Sequence, residues 1–461
     1  MVNLENMNRL LRYFSVFVML FIAIAMVSAQ ETESIRGVHK VKRKETIFGI
    51  SRMYDITIEQ LIKANPEMND PGFELKKGME LKIPYTKPPQ PVQAAPKPAP
   101  VQTSRRSDVQ GRAIRLGVML PLHDLNGDGR RMVEYYRGVL MACDSLKKQG
   151  ISVDVHAWNA AEDCDIRQLL ADKSASYCDL IIGPLYSKQM DALSDFVTKH
   201  DIRLIIPFSI NAPQLATNSN IFQIYQSETD LNEQTIGRFL DKFKGYHPVF
   251  IDCNDSTSTK GSFTFALRRQ LEQRGINYNL TNLRSSEENF TKAFNTALPN
   301  VVILNTGRSP ELGVAFSKIN GLKAKIPLLD ITMFGYKDWL MYTRTHLENF
   351  YRYNTYIPSV FYYNPLSSPT RRLQQKYLSN FHTEMQNALP RFALTGFDHA
   401  FFFLKGLHRY GRSFIGDAGM FDYVPVQTPL HFERYGNGGM RNKTMMFVHY
   451  RPDHVVETIK F

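Results

Sequence analysis

The chain has 461 residues and is 43% apolar, too long for one ordinary core and apolar enough for a large globular part. Its formal net charge of +12 favours anionic surfaces such as wall polymers, acidic lipids or nucleic acid. The excess is spread out, and Arg105-Arg106 is the one dense pair in a flexible stretch, so composition describes a soluble basic protein rather than one with a basic arm.

Residues 1–29 read as a secretory signal peptide. Arg9 and Arg12 supply a positive start, Tyr13 to Val27 an apolar run, and Val27-Ser28-Ala29 a small-residue cleavage site. The run is short for a membrane span, and no cysteine follows it for a lipid anchor. The expectation is an exported, periplasmic protein with no transmembrane segment after cleavage. Export permits disulfides between the four cysteines, Cys143, Cys164, Cys178 and Cys253. Buried free thiols fit better, and without a CxxC pair neither a metal nor a redox site is expected.

Residues 38–84 form a compact unit with the pattern strand, helix, helix, strand. Thr46 caps a first helix with Ile47, Ile50 and Tyr54 inward; Thr57 caps a second with Leu61 and Ile62 inward. Asn65-Pro66 ends that helix, and Lys77-Gly78 turns the chain into a last strand, Leu81-Lys-Ile-Pro84. Glu45-Thr46-Ile47, Tyr54, Leu61, Asn65-Pro66 and the Gly78…Pro84 ending together resemble a LysM domain over its full length. Lys44-Glu45 stands where that family usually has Gly-Asp. The resemblance implies binding of N-acetylglucosamine chains, peptidoglycan included. It places the groove at Glu45, Thr46, Ile47 and Phe48 on one side and Asn65, Pro66 and Glu67 on the other.

Residues 86–112 lose every apolar period. Lys87-Pro-Pro-Gln-Pro91 and Ala95-Pro-Lys-Pro-Ala-Pro100 make a proline-rich, semi-extended spacer.

From Ala113 the chain alternates strand and helix. Ile114 to Leu120, Val153 to Trp158, Leu180 to Ile182 and Leu204 to Ile206 read as strands, with Arg131 to Lys148 a helix between the first two. Asp179-Leu-Ile-Ile-Gly-Pro-Leu-Tyr-Ser187 joins a buried strand to a glycine-proline turn and a helix capped by Ser187. A second set follows: helix Asp230 to Phe243, strands Val249 to Ile251 and Val301 to Leu304, and helices Lys260 to Arg274 and Ser286 to Ala297. Helices at 368–388 and 397–410 and strands within 424–461 close the chain. Apolar strands without alternation imply α/β architecture, with parallel sheets covered on both faces. Ligands of such sheets sit beyond the strands' carboxyl ends.

The opening strand, Tyr136-Arg-Gly-Val-Leu-Met-Ala142, Ile181-Ile-Gly-Pro-Leu-Tyr-Ser187, Ile206-Pro-Phe-Ser209 and Gly396-Phe-Asp-His-Ala400 resemble a type I periplasmic binding protein of the branched-chain amino acid receptor kind. That resemblance implies two doubly wound lobes joined by a hinge, residues 113–228 plus 358–412 and residues 229–357 plus 413–461, closing on a ligand. Cleft residues expected on the first lobe are Tyr186, Ser187, Ser209 and Asn211. On the second they are Asp252, Asn305 and Asp330. The run Phe208-Ser-Ile-Asn-Ala-Pro213 lacks the paired hydroxyl residues with which amino acid receptors hold their ligand.

Asp124-Leu-Asn-Gly-Asp-Gly129 copies half of a calcium loop, but Tyr135 occupies the position that requires a glutamate. No nucleophile-elbow, zinc-protease or phosphate-loop motif occurs in the sequence. His399, inside an apolar helix, reads as packed. The reading is therefore a non-enzymatic protein without cofactor or metal that binds peptidoglycan and a small solute or wall fragment. The alternative is a regulator or scaffold whose body contacts a cell-wall enzyme. Nucleic acid is not an expected partner of an exported chain.

Overall fold

The structure, a computed structural model, describes residues 35–42, 45–54, 56–70, 73, 75–84, 109–208, 211–417, 419, 422 and 424–461. The expected signal peptide and residues 86–108 of the expected spacer lie outside the described residues. The chain divides between residues 105 and 106 into two compact units.

The small unit is built from β1 (Ile35–Lys40), α1 (Ile47–Met53), α2 (Ile58–Ala64) and β2 (Glu80–Pro84). The strands pair antiparallel, with His39 opposite Leu81. Thr57 closes a capping box: its hydroxyl accepts from Gln60 N at 3.1 Å while Thr57 N donates to the Gln60 side chain at 2.8 Å. Val41, Ile50, Leu61, Leu81 and Ile83 fill the core.

The body starts earlier than Ala113. Val109 is buried in its core, and the Arg112 guanidinium forks onto the Asp179 carboxylate with two bonds of 2.7 Å. The last residues of the expected spacer are thus docked structure, held by a bidentate ion pair.

The first sheet begins with β3 (Ile114–Leu120), followed by α3 (Gly127–Lys147), β4 (Val153–Asn159), β5 (Leu180–Ile182), α4 (Met190–His200), β6 (Arg203–Ile206) and β7 (Ile221–Gln223). Side chains of a strand alternate faces, and here both faces are apolar. Leu116, Val118, Leu180, Ile182 and Ile205 point into one core; Met119, Ile181, Leu204 and Ile206 point into another. This explains the unalternating strands of the sequence.

The second set runs α5 (Glu228–Lys242), β8 (His247–Asp252), α6 (Gly261–Gln273), β9 (Asn279–Asn282), β10 (Asn300–Leu304), α7 (Ser309–Lys325), β11 (Ile331–Phe334), α8 (Thr343–Arg352) and β12 (Thr355–Ser359). The helix expected at 286–297 stops at Thr291. Asn295 and Asn300 exchange bonds of 2.8 Å in both directions and pull the chain into a turn.

The chain closes with α9 (Ser368–Phe381), α10 (Phe392–Tyr410), β13 (Phe432–Arg434), β14 (Met440–Asn442), β15 (Met446–Tyr450) and β16 (Val456–Lys460). Helices α3 and α10 cross at glycine. A Cβ on Gly138 would lie 1.9 Å from Ala393 O, and one on Gly396 2.0 Å from Tyr135 O, so the two backbones touch.

The sheets are seven-stranded, in the orders β13-β14-β7-β6-β5-β3-β4 and β16-β15-β12-β11-β10-β8-β9. The inner strands are parallel, and β13, β15 and β16 add antiparallel pairings at the margins. One expected boundary is corrected. Residues 413–461 do not all belong to the second lobe, because β14 pairs parallel with β7 of the first sheet and only β15 and β16 join the second. The chain therefore passes between the lobes three times: after β7, after β12 and after β14. The Gln226 amide ties two passages by donating to Thr444 O at 2.7 Å.

Candidate functional site

In the small unit the expected glycan residues divide by burial. Asn65 is fully buried. Its amide donates to Leu61 O and Lys82 O at 2.8 Å, and its oxygen accepts from Lys82 N at 2.7 Å. It is a core joint between α2 and β2, so its side chain is not available to a sugar. Glu45 accepts from Lys42 N at 2.7 Å and pairs with His39 Nε2 at 2.8 Å. Partial burial pulls its carboxyl upward, but the Lys42 bond and His39 outweigh it and hold the carboxyl below its ordinary range. The Thr46 hydroxyl caps α1 by accepting from Gly49 N at 3.0 Å. Ile47 packs on the core, and the Phe48 side chain lies outside the described residues. Thr46, Pro66 and Glu67 are exposed.

In the body the expected cleft residues do not converge. Tyr186 donates to Asp128 at 3.5 Å, Ser187 opens a short turn, and Asn211 is exposed. Ser209 lies outside the described residues. Asp252 and Asn305 stand at the carboxyl ends of β8 and β10, bonded to each other at 2.8 Å. Asn305 also accepts from Cys253 N at 2.8 Å, and Asp252 from Asn254 N at 2.9 Å. Beside them, bonds from the Thr257 and Thr306 hydroxyls hold the Asp255 carboxyl at about 2. These are turn residues satisfying one another. Asp330 precedes β11 and so sits at the opposite edge of the sheet, where its carbonyl accepts from Asn300 N.

The calcium-like loop serves the following helix instead, since Asn126 caps α3 by accepting from Gly129 N at 2.8 Å. Burial pushes the Cys143 and Cys253 thiols up to about 12, which makes them poor nucleophiles.

A cavity of about 370 Å³ lies between the lobes, bordered by the three passages. Phe208, Ile224 and Phe392 line it from the first lobe, Phe263 and Tyr336 from the second, and Val360 and Phe361 from a passage. Most of its polar neighbours are committed elsewhere. Thr395 donates to Arg391 O at 3.1 Å and accepts from Gln427 at 2.9 Å. Asn442 donates to Ile224 O at 3.1 Å. The Tyr336 hydroxyl donates to Leu304 O at 2.5 Å, and Lys260 pairs with Asp338 at 2.8 Å.

His399 differs. It is 1% exposed and lines the cavity; Nδ1 lies 3.0 Å from the Tyr135 hydroxyl, and Nε2 is buried without a partner among the described residues. Burial pushes its pKa down to about 3, so the ring is neutral. Its neighbour Asp398 points away and accepts the backbone N–H groups of Val426, Gln427 and Thr428 at 2.7–2.8 Å. That carboxylate locks the segment 426–428, between α10 and β13, against α10 and fixes the imidazole beside it. The sequence did carry a cue: Thr395 and His399, four apart, share one face of α10. Burial in an apolar helix made packing the simpler reading.

The chain is similar to known proteins in both units. Residues 39–84 match the family model described as LysM domain. No curated protein matches the chain. A crystal structure of a candidate branched-chain amino acid ABC transporter protein from Rhodospirillum rubrum is 14% identical, with a TM-score of 0.52, covering 75% of this chain and 100% of that one. Full-length LpoA from Haemophilus influenzae is 15% identical, with a TM-score of 0.48, covering 76% of this chain and 59% of that one. The small unit is a LysM domain, and the body has the bilobed type I periplasmic binding protein fold.

Proposed function

We propose that this is a non-enzymatic protein of the bacterial cell envelope, held to peptidoglycan by its LysM domain and carrying a small-molecule binding body. The observation that supports the tether is the LysM match over residues 39–84. Such domains recognise N-acetylglucosamine chains, and exposed Thr46, Pro66 and Glu67 remain candidates for the contact. Neutral sugars need an apolar platform with a few polar groups, not charge. Export and a periplasmic location follow from the partner. The test is co-sedimentation of the full chain with washed sacculi, against a variant lacking residues 35–84. Retention of the first and release of the second is expected, and equal retention overturns the reading.

For the body, an interlobe cavity lined largely by aromatic and aliphatic side chains supports capture of a small molecule. An amino acid is a poor fit, because Lys260 is already paired with Asp338 and the other charged residues of the lining, Glu228 and Lys337, are exposed side chains rather than buried ones. The same apolar character supports a second reading, in which the body regulates or scaffolds a cell-wall enzyme, since solute receptors hold ligands by convergent polar groups. Native mass spectrometry of protein purified from its own host separates the two. A retained small molecule supports capture; a bare cavity with a co-purifying wall enzyme supports regulation.

A further inference from the structure

The cavity is mostly apolar, and the direction of one hydrogen bond sets what it accepts. The Tyr135 hydroxyl is fully buried, and its hydrogen-bond partner is His399 Nδ1 at 3.0 Å. A buried phenol must place its hydrogen on an acceptor, so Tyr135 donates and Nδ1 accepts. The ring is neutral, so its single proton then sits on Nε2. Among the described residues Nε2–H is a buried donor without a partner, in a ring that lines the cavity. An unmet buried donor is costly, and a ligand acceptor recovers that cost.

Charge narrows the class further. Lys260, at the border, is engaged by Asp338 at 2.8 Å and lies over the Tyr336 ring. Glu228 and Lys337 also border the cavity but are exposed to solvent, so a bound anion or zwitterion would lose its hydration without a buried countercharge beside it. Volume sets the size: about 370 Å³ lies at the small end of ligand sites.

We propose that the interlobe cavity binds an uncharged, largely apolar small molecule through a carbonyl or ether oxygen that accepts from His399 Nε2–H. Tyr135 acts as a positioning residue that fixes the tautomer, and Phe208, Phe263 and Phe361 enclose the apolar part. The proposal rests on reading the body as a small-molecule binding module.

The test uses the full chain, stripped of co-purifying apolar molecules, and Nile Red, an uncharged dye with a carbonyl acceptor and polarity-sensitive emission. Wild type is expected to bind one equivalent saturably with blue-shifted emission, undisturbed by excess leucine. His399→Phe keeps an aromatic ring but loses the donor, and is expected to weaken binding about tenfold. Val360→Trp fills a half-buried part of the lining and is expected to abolish binding; it stands as the test if His399→Phe does not fold. Displacement of the dye by leucine, or unchanged affinity in a folded His399→Phe or a folded Val360→Trp, overturns the proposal. Sacculus retention is measured on the same samples: its loss strikes the glycan reading alone, and loss of dye binding with retention intact strikes only the cavity assignment.

Discussion

In the LysM domain, buried His39 has a partner at each ring nitrogen, Tyr54 at 2.8 Å and Glu45 at 2.8 Å. In the body, buried His399 has Tyr135 at one nitrogen and, among the described residues, no partner at the other. Two residues of one type, each below a tenth exposed, thus have different duties. Saturated polar groups are joints that hold elements together; a buried group with capacity left over marks a surface that something else completes. Asn65 and Asp398 belong with His39, since both exhaust themselves on backbone groups.

If Asp398 is a joint, removing it is severe. Asp398→Ala leaves three backbone N–H groups without their acceptor along the segment 426–428. The expected loss is about 4 kcal/mol in denaturant unfolding of the body. A loss below about 1 kcal/mol would mean that the segment is held by other contacts and that Asp398 is no joint. Asn65→Ala is the corresponding change in the small unit. It unpairs Leu61 O and both backbone groups of Lys82, for about 3 kcal/mol. A domain this small has little more stability than that, so sacculus retention is expected to disappear with the fold. Retention lost while the domain stays folded would instead return Asn65 to the sugar site.

Asn65 marks where sequence reading stops. Asn-Pro ends a helix whichever way the amide turns, and only the arrival of β2 at Lys82 turns it inward. The strands from Ile114 to Leu120 and from Leu180 to Ile182 are legible to the residue, because a sheet covered on both faces demands unbroken apolar runs. Asp330 misleads because Leu328-Leu329 resembles a strand that the aspartate would terminate. Leu328 is in fact 95% exposed, and the strand begins at Ile331. The membership of β13 and β14 is not legible, since three-residue strands carry no period and the partner of β14 lies over two hundred residues away. The interlobe cavity escapes sequence reading for a related reason: its lining comes from both lobes and all three passages.

Burial of His399 also predicts an acid response of the body. His399 has an ordinary value of 6.5 in the unfolded chain and about 3 when folded. Between these values the unfolded state binds a proton that the folded state refuses, so stability is whole above pH 6.5 and drains away as pH falls towards 3. From about pH 7 to about pH 5 this amounts to about 2 kcal/mol. The check is denaturant unfolding of the body at both pH values in wild type and His399→Phe. The variant is expected to lose that part of the slope; an identical slope means that His399 takes up its proton while folded.

The smallest effect belongs to the saturated side. Glu45 carries a carboxyl lowered from 4.5, with burial opposing and the Lys42 and His39 bonds prevailing. A lowered acid contributes stability that is present above its unfolded value and lost as pH falls through the folded one. The LysM domain is therefore expected to loosen only below about pH 4.5, well after the body has begun to weaken. Hydrogen exchange of residues 35–84 in the full chain, followed from about pH 6 to about pH 3, reads this directly. Glu45→Gln is expected to flatten the acid limb, because a neutral amide keeps the shape and removes the titration. If exchange instead accelerates in step with the body, Glu45 does not set the acid limb of the LysM domain, and the contrast between the two units fails.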